Sequence, residues 1–298
     1  MSDSPAETRG AQRRAILMIL GAAGTFGMAA AMVKALQGAI PLAEVVLCRN
    51  LFAIPALLPL LLRHGWGALR TQYPWGHVSR IAFGLAGMFG SFYGYVHLPM
   101  ATVTALNFTM PLFLTLLSVP LLGERVGPRR LSAVMAGFGG VLLMVQPWDG
   151  RAGDALHATF AVLGAALAWA LAMISIRKLG EKGESGISIV LWFAIGSALV
   201  SGALALPVWV WPTPFQWAML IGTGLVSALA QVLMTEAYRR GEPTLIAPFE
   251  YSGILWTSLL GALIWGELPD GWDFLGIAVL VGAGLYIWHR EVTLGLKR

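Results

Sequence analysis

Reactive and charged chemistry is scarce in this 298-residue sequence. Its single cysteine, Cys48, excludes an intrachain disulfide and a cysteine-based metal site, and within an apolar run it reads as a small packing residue. Charged residues make up 12% of the chain, and only 15 of them are acidic. The phosphate-cradling GxxxxGK[ST] loop, GxGxxG after a strand, HExxH and any paired His/Cys cluster are absent. ATP-driven pumping would therefore need another chain. The five histidines, His64, His77, His97, His157 and His289, fall at or near the ends of apolar runs and read as interfacial. No catalytic residue, cofactor or metal is implied, and an enzyme is not expected.

What is present is apolar: 57% of the residues are hydrophobic and the mean hydropathy is +0.72. A helix needs about 20 apolar residues to cross roughly 30 Å of hydrocarbon. Ten stretches meet that description, at 15–36, 42–62, 78–98, 99–122, 128–147, 156–178, 186–208, 215–238, 243–266 and 270–289. The connections leave no room for a soluble domain, and the alternation of barrel strands is missing. Lysine and arginine near the span ends divide seventeen to two. The rich side takes Arg9, Arg13 and Arg14, Arg63, Arg70 and Arg80, Arg125, Arg129 and Arg130, Arg177, Lys178 and Lys182, Arg239 and Arg240, and Arg290, Lys297 and Arg298. The poor side has Lys34 and Arg151, with Trp209 and Trp211 in an uncharged loop. Positive-inside bias then puts both termini in the cytoplasm of a multi-pass inner-membrane protein. The basic pI of 9.7 needs no nucleic acid, because basic residues fringe the cytoplasmic leaflet. The polar tail 1–14 is expected to stay attached, since span one has the length of a true crossing.

The halves repeat each other. At an offset of 143, Gly21, Ala22 and Ala23 fall on Gly164, Ala165 and Ala166, Tyr95 on Tyr238, Leu116–Leu117 on Leu259–Leu260, and Gly123–Glu124 on Gly266–Glu267. Five spans per unit is odd, so the second copy enters the bilayer inverted, the plan many secondary transporters use for alternating access. The expected fold is an all-α integral membrane protein of ten transmembrane helices in two five-helix inverted-topology repeats, 1–147 and 156–298.

Polar residues inside spans are costly in hydrocarbon and must face protein, water or ligand. Pro55 and Pro59 interrupt span two, Pro248 lies near the start of span nine, and Pro111 frees the carbonyl of Asn107, itself a polar intramembrane residue. The repeat mate of Asn107 is Glu250. Arg49 lies seven residues into span two, roughly 10 Å from one boundary. Glu250 is similarly deep from the other, so the two should face one cavity about 10 Å apart in depth. Arg49 suits a carboxylate, while Glu250 suits an ammonium or a coupling proton. Equally, Arg49 suits a structural tie to backbone carbonyls.

Ser227, Gln231, Thr235 and Tyr238 share a face of span eight. Their mates are Gly84, Met88, Phe92 and Tyr95. A polar wall facing an aromatic one would fit an amphipathic solute with a ring, with Phe26 and Trp169, Phe108 and Tyr251, and Trp256 adding stacking surface. Lys34 and Arg177 read as snorkelling mates, and Glu124 and Glu267 as loop-fixing residues. Gly90 and Gly94, the Ala23–Gly27–Ala31 run, and Ala278 with Gly282 read as packing steps. Spans one, three, four, six, eight and nine are expected to line the cavity, five and ten to support it, and two and seven to act as gates.

The Gly123–Glu124–Arg125 closing span four, the Gly266–Glu267 closing span nine, the small-residue spans after each, and Arg49 within LCRNLFAIPALL resemble the EamA-type units of the drug/metabolite transporter superfamily. The resemblance covers residues 15 to 290 as two units, and within the family it is most like the aromatic amino acid and methyl viologen exporters. It implies movement of small organic solutes, often outward, by a protein whose partners are its substrate and the bilayer, with a monomer as the simplest state. Trp192 stands where a symmetric site would repeat Arg49, so a two-arginine site of that kind is excluded. The expectation is a secondary exporter of amino acids, biased to aromatic or large hydrophobic ones. The alternatives are an exporter of drugs or cations, or a passive facilitator or non-transporting scaffold.

Overall fold

A computed structural model describes residues 5–64, 70–123, 127–146, 153–240 and 247–293. Glu124, Arg125, Arg151, Lys297 and Arg298 lie outside these, as does the side chain of Tyr238. Among the described residues the chain is helical without strands: α1 Pro5–Ala35, α2 Leu42–His64, α3 Pro74–His97, α4 Met100–Asn107, α5 Met110–Leu122, α6 Pro128–Val145, α7 Gly153–Glu181, α8 Gly186–Ala205, α9 Pro214–Arg240, α10 Ser252–Trp265 and α11 Gly271–Thr293. Seven stretches among the described residues are long and apolar enough to cross a membrane. Of the other helices, α3 carries His77 and Arg80 in its first two turns, and α10 has only 14 residues by itself.

The fourth apolar stretch is two helices rather than one. Pro111 has no amide hydrogen to give the Asn107 carbonyl, and the chain tightens there: Phe108 N donates to Ala105 O at 3.0 Å and Thr109 N to Leu106 O at 3.0 Å. The equivalent point of the ninth stretch is a 3-10 turn, Ala247–Tyr251, ahead of α10. Both broken segments end on a left-handed glycine, Gly123 (φ 69°) and Gly266 (φ 68°), where a side chain would be strained.

The most extensive helix pairings are α1 with α9, α3 with α7, α6 with α11, and α2 with α8. Lipid gives little hydrophobic drive for such contacts, so small residues must let the backbones approach. Gly90 does this on α3, where a Cβ would stand 2.6 Å from the Ala161 carbonyl oxygen of α7. Gly27 packs on Thr257 and Leu260 of α10. The α6–α11 seam rests on Gly140 and Gly276, each against the other's carbonyl. Ala278 and Gly282 are not its packing step: Ala278 is exposed and nothing lies within 4 Å of a Cβ built on Gly282, because they turn away from the α6 contact.

Several charged residues at helix ends are enclosed by protein groups instead of reaching out to the interface. Lys34 is 7% exposed. Its Nζ lies 2.7 Å from Glu267 Oε1 and donates to Leu98 O at 2.8 Å. Arg177 does pair near its helix end, with Glu181 at 3.0 Å. His77, expected at the interface, is 1% exposed and lies 3.4 Å from Glu184. Glu184 caps this corner between α7 and α8, accepting from Thr71 at 2.5 Å and from Ser188 at 3.0 Å. Burial disfavours its carboxylate, but the hydrogen bonds from Thr71 and Ser188, with His77 close by, outweigh that and hold its carboxyl below the usual range.

Candidate functional site

A cavity of about 680 Å³ runs through the middle of the helices, within the size range of small-molecule sites. Its centre is where the two broken segments meet. Asn107, at the end of α4, accepts from Ser91 Oγ of α3 at 3.0 Å, and Tyr95 OH is 3.2 Å from Thr104 Oγ1. Glu250 borders the cavity from the 3-10 turn. The next residue, Tyr251, stacks on Phe108 with ring centroids 4.6 Å apart, so these sequence mates touch. The Tyr251 hydroxyl occupies the space over Gly284 of α11, where a Cβ would collide with it.

Of the residues singled out from sequence, Arg49, Asn107, Glu250, Gln231, Tyr95, Phe92, Tyr251, Phe26 and Trp169 all line this cavity. The tenth, Tyr238, has its side chain outside the described residues. Trp169 lies against Gly87 of α3, where a Cβ would be 2.7 Å from its ring. Arg49 Nη1 donates to Asn50 Oδ1 at 3.2 Å and approaches Met88 Sδ at 3.7 Å.

Four expectations are corrected. Trp256 packs on Gly24 of α1 and does not line the cavity. Thr235 is exposed and bonds back to Gln231 O at 2.8 Å, so the polar wall of α9 is Ser227 and Gln231 followed by Met234. Span ten is more than an outer support: Leu285 and Trp288 of α11 border the cavity, together with Arg49 of α2 and Val190 and Phe193 of α8. The gap over Gly284 lets α11 come in this close. Finally, Arg80, counted with the basic fringe, turns its head inward. It is 9% exposed and lines the cavity, with its guanidinium 3.9 Å over the Phe193 ring.

Ser91, Thr104, Trp288 and the sulfur of Met88, Met110, Met173 and Met234 also line the cavity without having been singled out as site residues, apart from Met88 on the expected wall. The signal for Arg80 was Gly84 one turn on, the empty position that its guanidinium and Phe193 fill.

The cavity is unequal at its ends. Toward one end its lining reaches Arg80 early in α3, Ile176 late in α7, Val190 early in α8 and Trp288 late in α11. The other end is tied by Lys34 and Glu267, whose Oε2 accepts from Met100 N at 3.2 Å. There too the buried Glu44 accepts from Val210 N at 3.2 Å.

The sequence profile of the EamA-like transporter family matches this chain twice, over residues 13–146 and 157–288. Relatives include the riboflavin transporter of Rhizobium johnstonii, 34% identical over 256 residues that cover 85% of this chain and 83% of that protein. The S-adenosylmethionine uptake transporter of Rickettsia prowazekii is 29% identical, covering 83% of both chains. The pseudopaline exporter of Pseudomonas aeruginosa is 30% identical, covering 90% of this chain and 93% of that protein. These names concern other solutes than the aromatic amino acids that the resemblance pointed to. A solved crystal structure shares the fold, with a TM-score of 0.64 over 95% of this chain and 99% of that one at 20% identity. The chain belongs to the EamA-like transporter family, and is a multi-pass membrane transporter of small molecules, not an enzyme.

Proposed function

We propose that this protein is a secondary transporter of the bacterial inner membrane that carries a small, ring-bearing organic metabolite by alternating access. The observation that carries the reading is the central cavity, where the stacked Phe108 and Tyr251, with Phe26 and Trp169, surround polar groups at two helix breaks. Interrupted helices expose backbone and side-chain polar groups at mid-membrane, where transporters of this kind hold solutes.

The carrier consists of two five-helix units, 1–147 and 156–298, inverted relative to each other, with ten crossings and both termini cytoplasmic. The helix pairings support this. Exchanging the halves turns the α1–α9 contact into α7–α3 and leaves α2–α8 and α6–α11 as they are. With the basic side cytoplasmic, the cavity reaches toward the cytoplasm and the Lys34–Glu267 tie closes the outer end. Nothing in the reading requires a second chain.

Riboflavin carries a flat fused ring, and S-adenosylmethionine a purine with an amino-acid end; aromatic amino acids offer a ring and the same end on a smaller frame. All three suit an aromatic cavity holding both Arg49 and Glu250. Glu250 is the coupling-proton candidate. The test is uptake of labelled riboflavin, S-adenosylmethionine, tryptophan and methyl viologen into proteoliposomes, with and without a pH gradient. Flux of a ring-bearing metabolite above empty liposomes supports the reading. Flux of methyl viologen alone makes the protein a cation exporter, and no flux of any member removes the transport of ring-bearing metabolites from it.

A further inference from the structure

We infer that Arg49 and Arg80 together form an anion subsite within the cavity, which holds a carboxylate or phosphate group of the solute. This rests on the cavity being the transport site. Arg80 is 9% exposed, and among the described residues its Nε and Nη1 are buried without a hydrogen-bond partner. Its charged head lies over the Phe193 ring at 3.9 Å and against Gly84 of its own helix, neither of which accepts a hydrogen bond from its N–H edge. A buried donor without an acceptor is expensive, and a cavity ligand supplying oxygen atoms removes that cost.

The second arginine approaches the same helix one turn further on. A Cβ at Gly84 would meet Arg80 Nη1, whereas Arg49 Nη1 lies 3.7 Å from Met88 Sδ. Positions four residues apart on a helix are separated by roughly 6 Å along the axis. Both guanidinium heads border the one cavity against neighbouring turns of α3, so a single anionic group there meets both positive charges. Among the described residues neither arginine makes an ion pair. The other contacts of Arg49, the amide oxygen of Asn50 at 3.2 Å and the Met88 sulfur, leave its charge uncompensated. Two like charges facing one cavity are held at a cost in repulsion that a bound anion reverses. The aromatic residues then receive the ring, and the arginines the acid group.

The repeat provides a reason for the placement. The mates of Arg49 and Arg80 are Trp192 and Thr223, so the positive charge sits on one side of the cavity only.

The experiment measures binding of paired probes to purified protein in nanodiscs: flavin mononucleotide against riboflavin, which differ by a phosphate, and indole-3-propionate against tryptamine, which carry a carboxylate and an ammonium on similar indole frames. Wild type is expected to prefer the acid of at least one pair, and Arg80→Gln to lose that preference by about ten- to a hundred-fold, the worth of a charge-assisted hydrogen bond. Riboflavin should change little, and the cationic tryptamine should bind no more weakly. Arg80→Lys should restore part of the preference, and Arg80→Met, which keeps the stem over Phe193, should not. Which pair responds identifies phosphate or carboxylate as the anion. An acid preference that survives in both Arg80→Gln and Arg80→Met would overturn the subsite, as would equal binding of both members of each pair in wild type; riboflavin or tryptamine binding alone would leave the transport reading standing. Failure of all four probes to bind would overturn the cavity reading and the subsite with it.

Discussion

Breaking the buried tie between Lys34 and Glu267 should cost more than any exposed ion pair could. Lys34 Nζ stands 2.7 Å from Glu267 Oε1 and donates to Leu98 O at 2.8 Å, while Glu267 Oε2 accepts from Met100 N at 3.2 Å. These contacts join the end of α1, the α3–α4 corner and the turn before α11. The Lys34 side chain is 9% exposed and that of Glu267 25%. At 2.7 Å and an effective dielectric near 20 the gross attraction is roughly 6 kcal/mol, much of it offset by desolvation. Lys34→Met leaves a mostly buried carboxylate with only the Met100 amide, and should destabilise by about 3 kcal/mol, the low end for a broken buried pair because Glu267 keeps some water. Glu267→Gln should cost less, since Lys34 retains the Leu98 carbonyl. The double variant should be more stable than the sum predicts, with a coupling of at least about 1.5 kcal/mol. Unfolding in mixed detergent micelles, followed by circular dichroism, measures all four proteins. Additivity within about 0.5 kcal/mol would refute the tie as an energetic unit. In a Cys48→Ser background, a cysteine at Ala30 should also react faster with a thiol reagent once Lys34 is replaced.

Three further outcomes are expected. Gly284→Ala forces a Cβ against the Tyr251 hydroxyl and should cost about 1–3 kcal/mol by overpacking, whereas Gly139→Ala on α6, with nothing within 4 Å, should be neutral or stabilising by up to about 1 kcal/mol; thermal unfolding in detergent compares them. Glu250→Gln should abolish the pH-gradient dependence of flux while leaving the melting temperature within a few degrees, and unchanged gradient-driven flux would remove Glu250 as the proton site. Glu184 has its carboxyl held below the usual range, so its contribution to stability is present above the ordinary carboxylate value and is lost as pH falls through the lowered one. Glu184→Gln should flatten that acid limb in a pH titration of stability, and Thr71→Val should move it to higher pH.

Apolar runs long enough to cross a bilayer announce themselves, so the positions of the helices were legible. So was the centre of the cavity, because Asn107, Glu250 and Arg49 are polar in stretches where polarity must be satisfied internally. Arg80 was not. Positive-inside counting treats any arginine within two turns of a helix end as a fringe residue, and only the packing of Phe193 from α8 into the gap at Gly84 shows that its head turns inward. Lys34 failed for the same reason, since its partner Glu267 is distant in sequence. The part played by α11 was hidden by its uniform apolarity: when both faces of a helix are apolar, periodicity cannot distinguish the one facing lipid from the one facing a cavity. Pro111 predicted an interruption, but its extent, two residues out of helix at Phe108–Thr109, depends on the backbone bonds made there.

The duplicated pattern and the chemistry of the cavity pull in opposite directions. Packing positions repeat closely at the offset of 143: Gly123 with Gly266 at the left-handed caps, Ala22 with Ala165 in the buried seams. Around the cavity the aromatic positions are kept, Phe26 with Trp169 and Phe108 with Tyr251, but the polar and charged ones are not: Arg49 pairs with Trp192, Arg80 with Thr223, Met88 with Gln231, and Asn107 with Glu250. Physical necessity supports the divergence. A charge placed near the axis of a twofold scaffold meets its own copy across the cavity, and two like charges in a low-dielectric space repel strongly. Substituting one mate relieves that repulsion and turns the cavity from a symmetric vessel into one with a positive side, where Arg49 and Arg80 stand, and an acidic residue at Glu250. A solute with an acid group, a ring and a basic or neutral end then has one favourable orientation. Repetition of the packing positions supports the shared helix plan, while recognition is served by its loss at Arg49, Arg80 and Glu250.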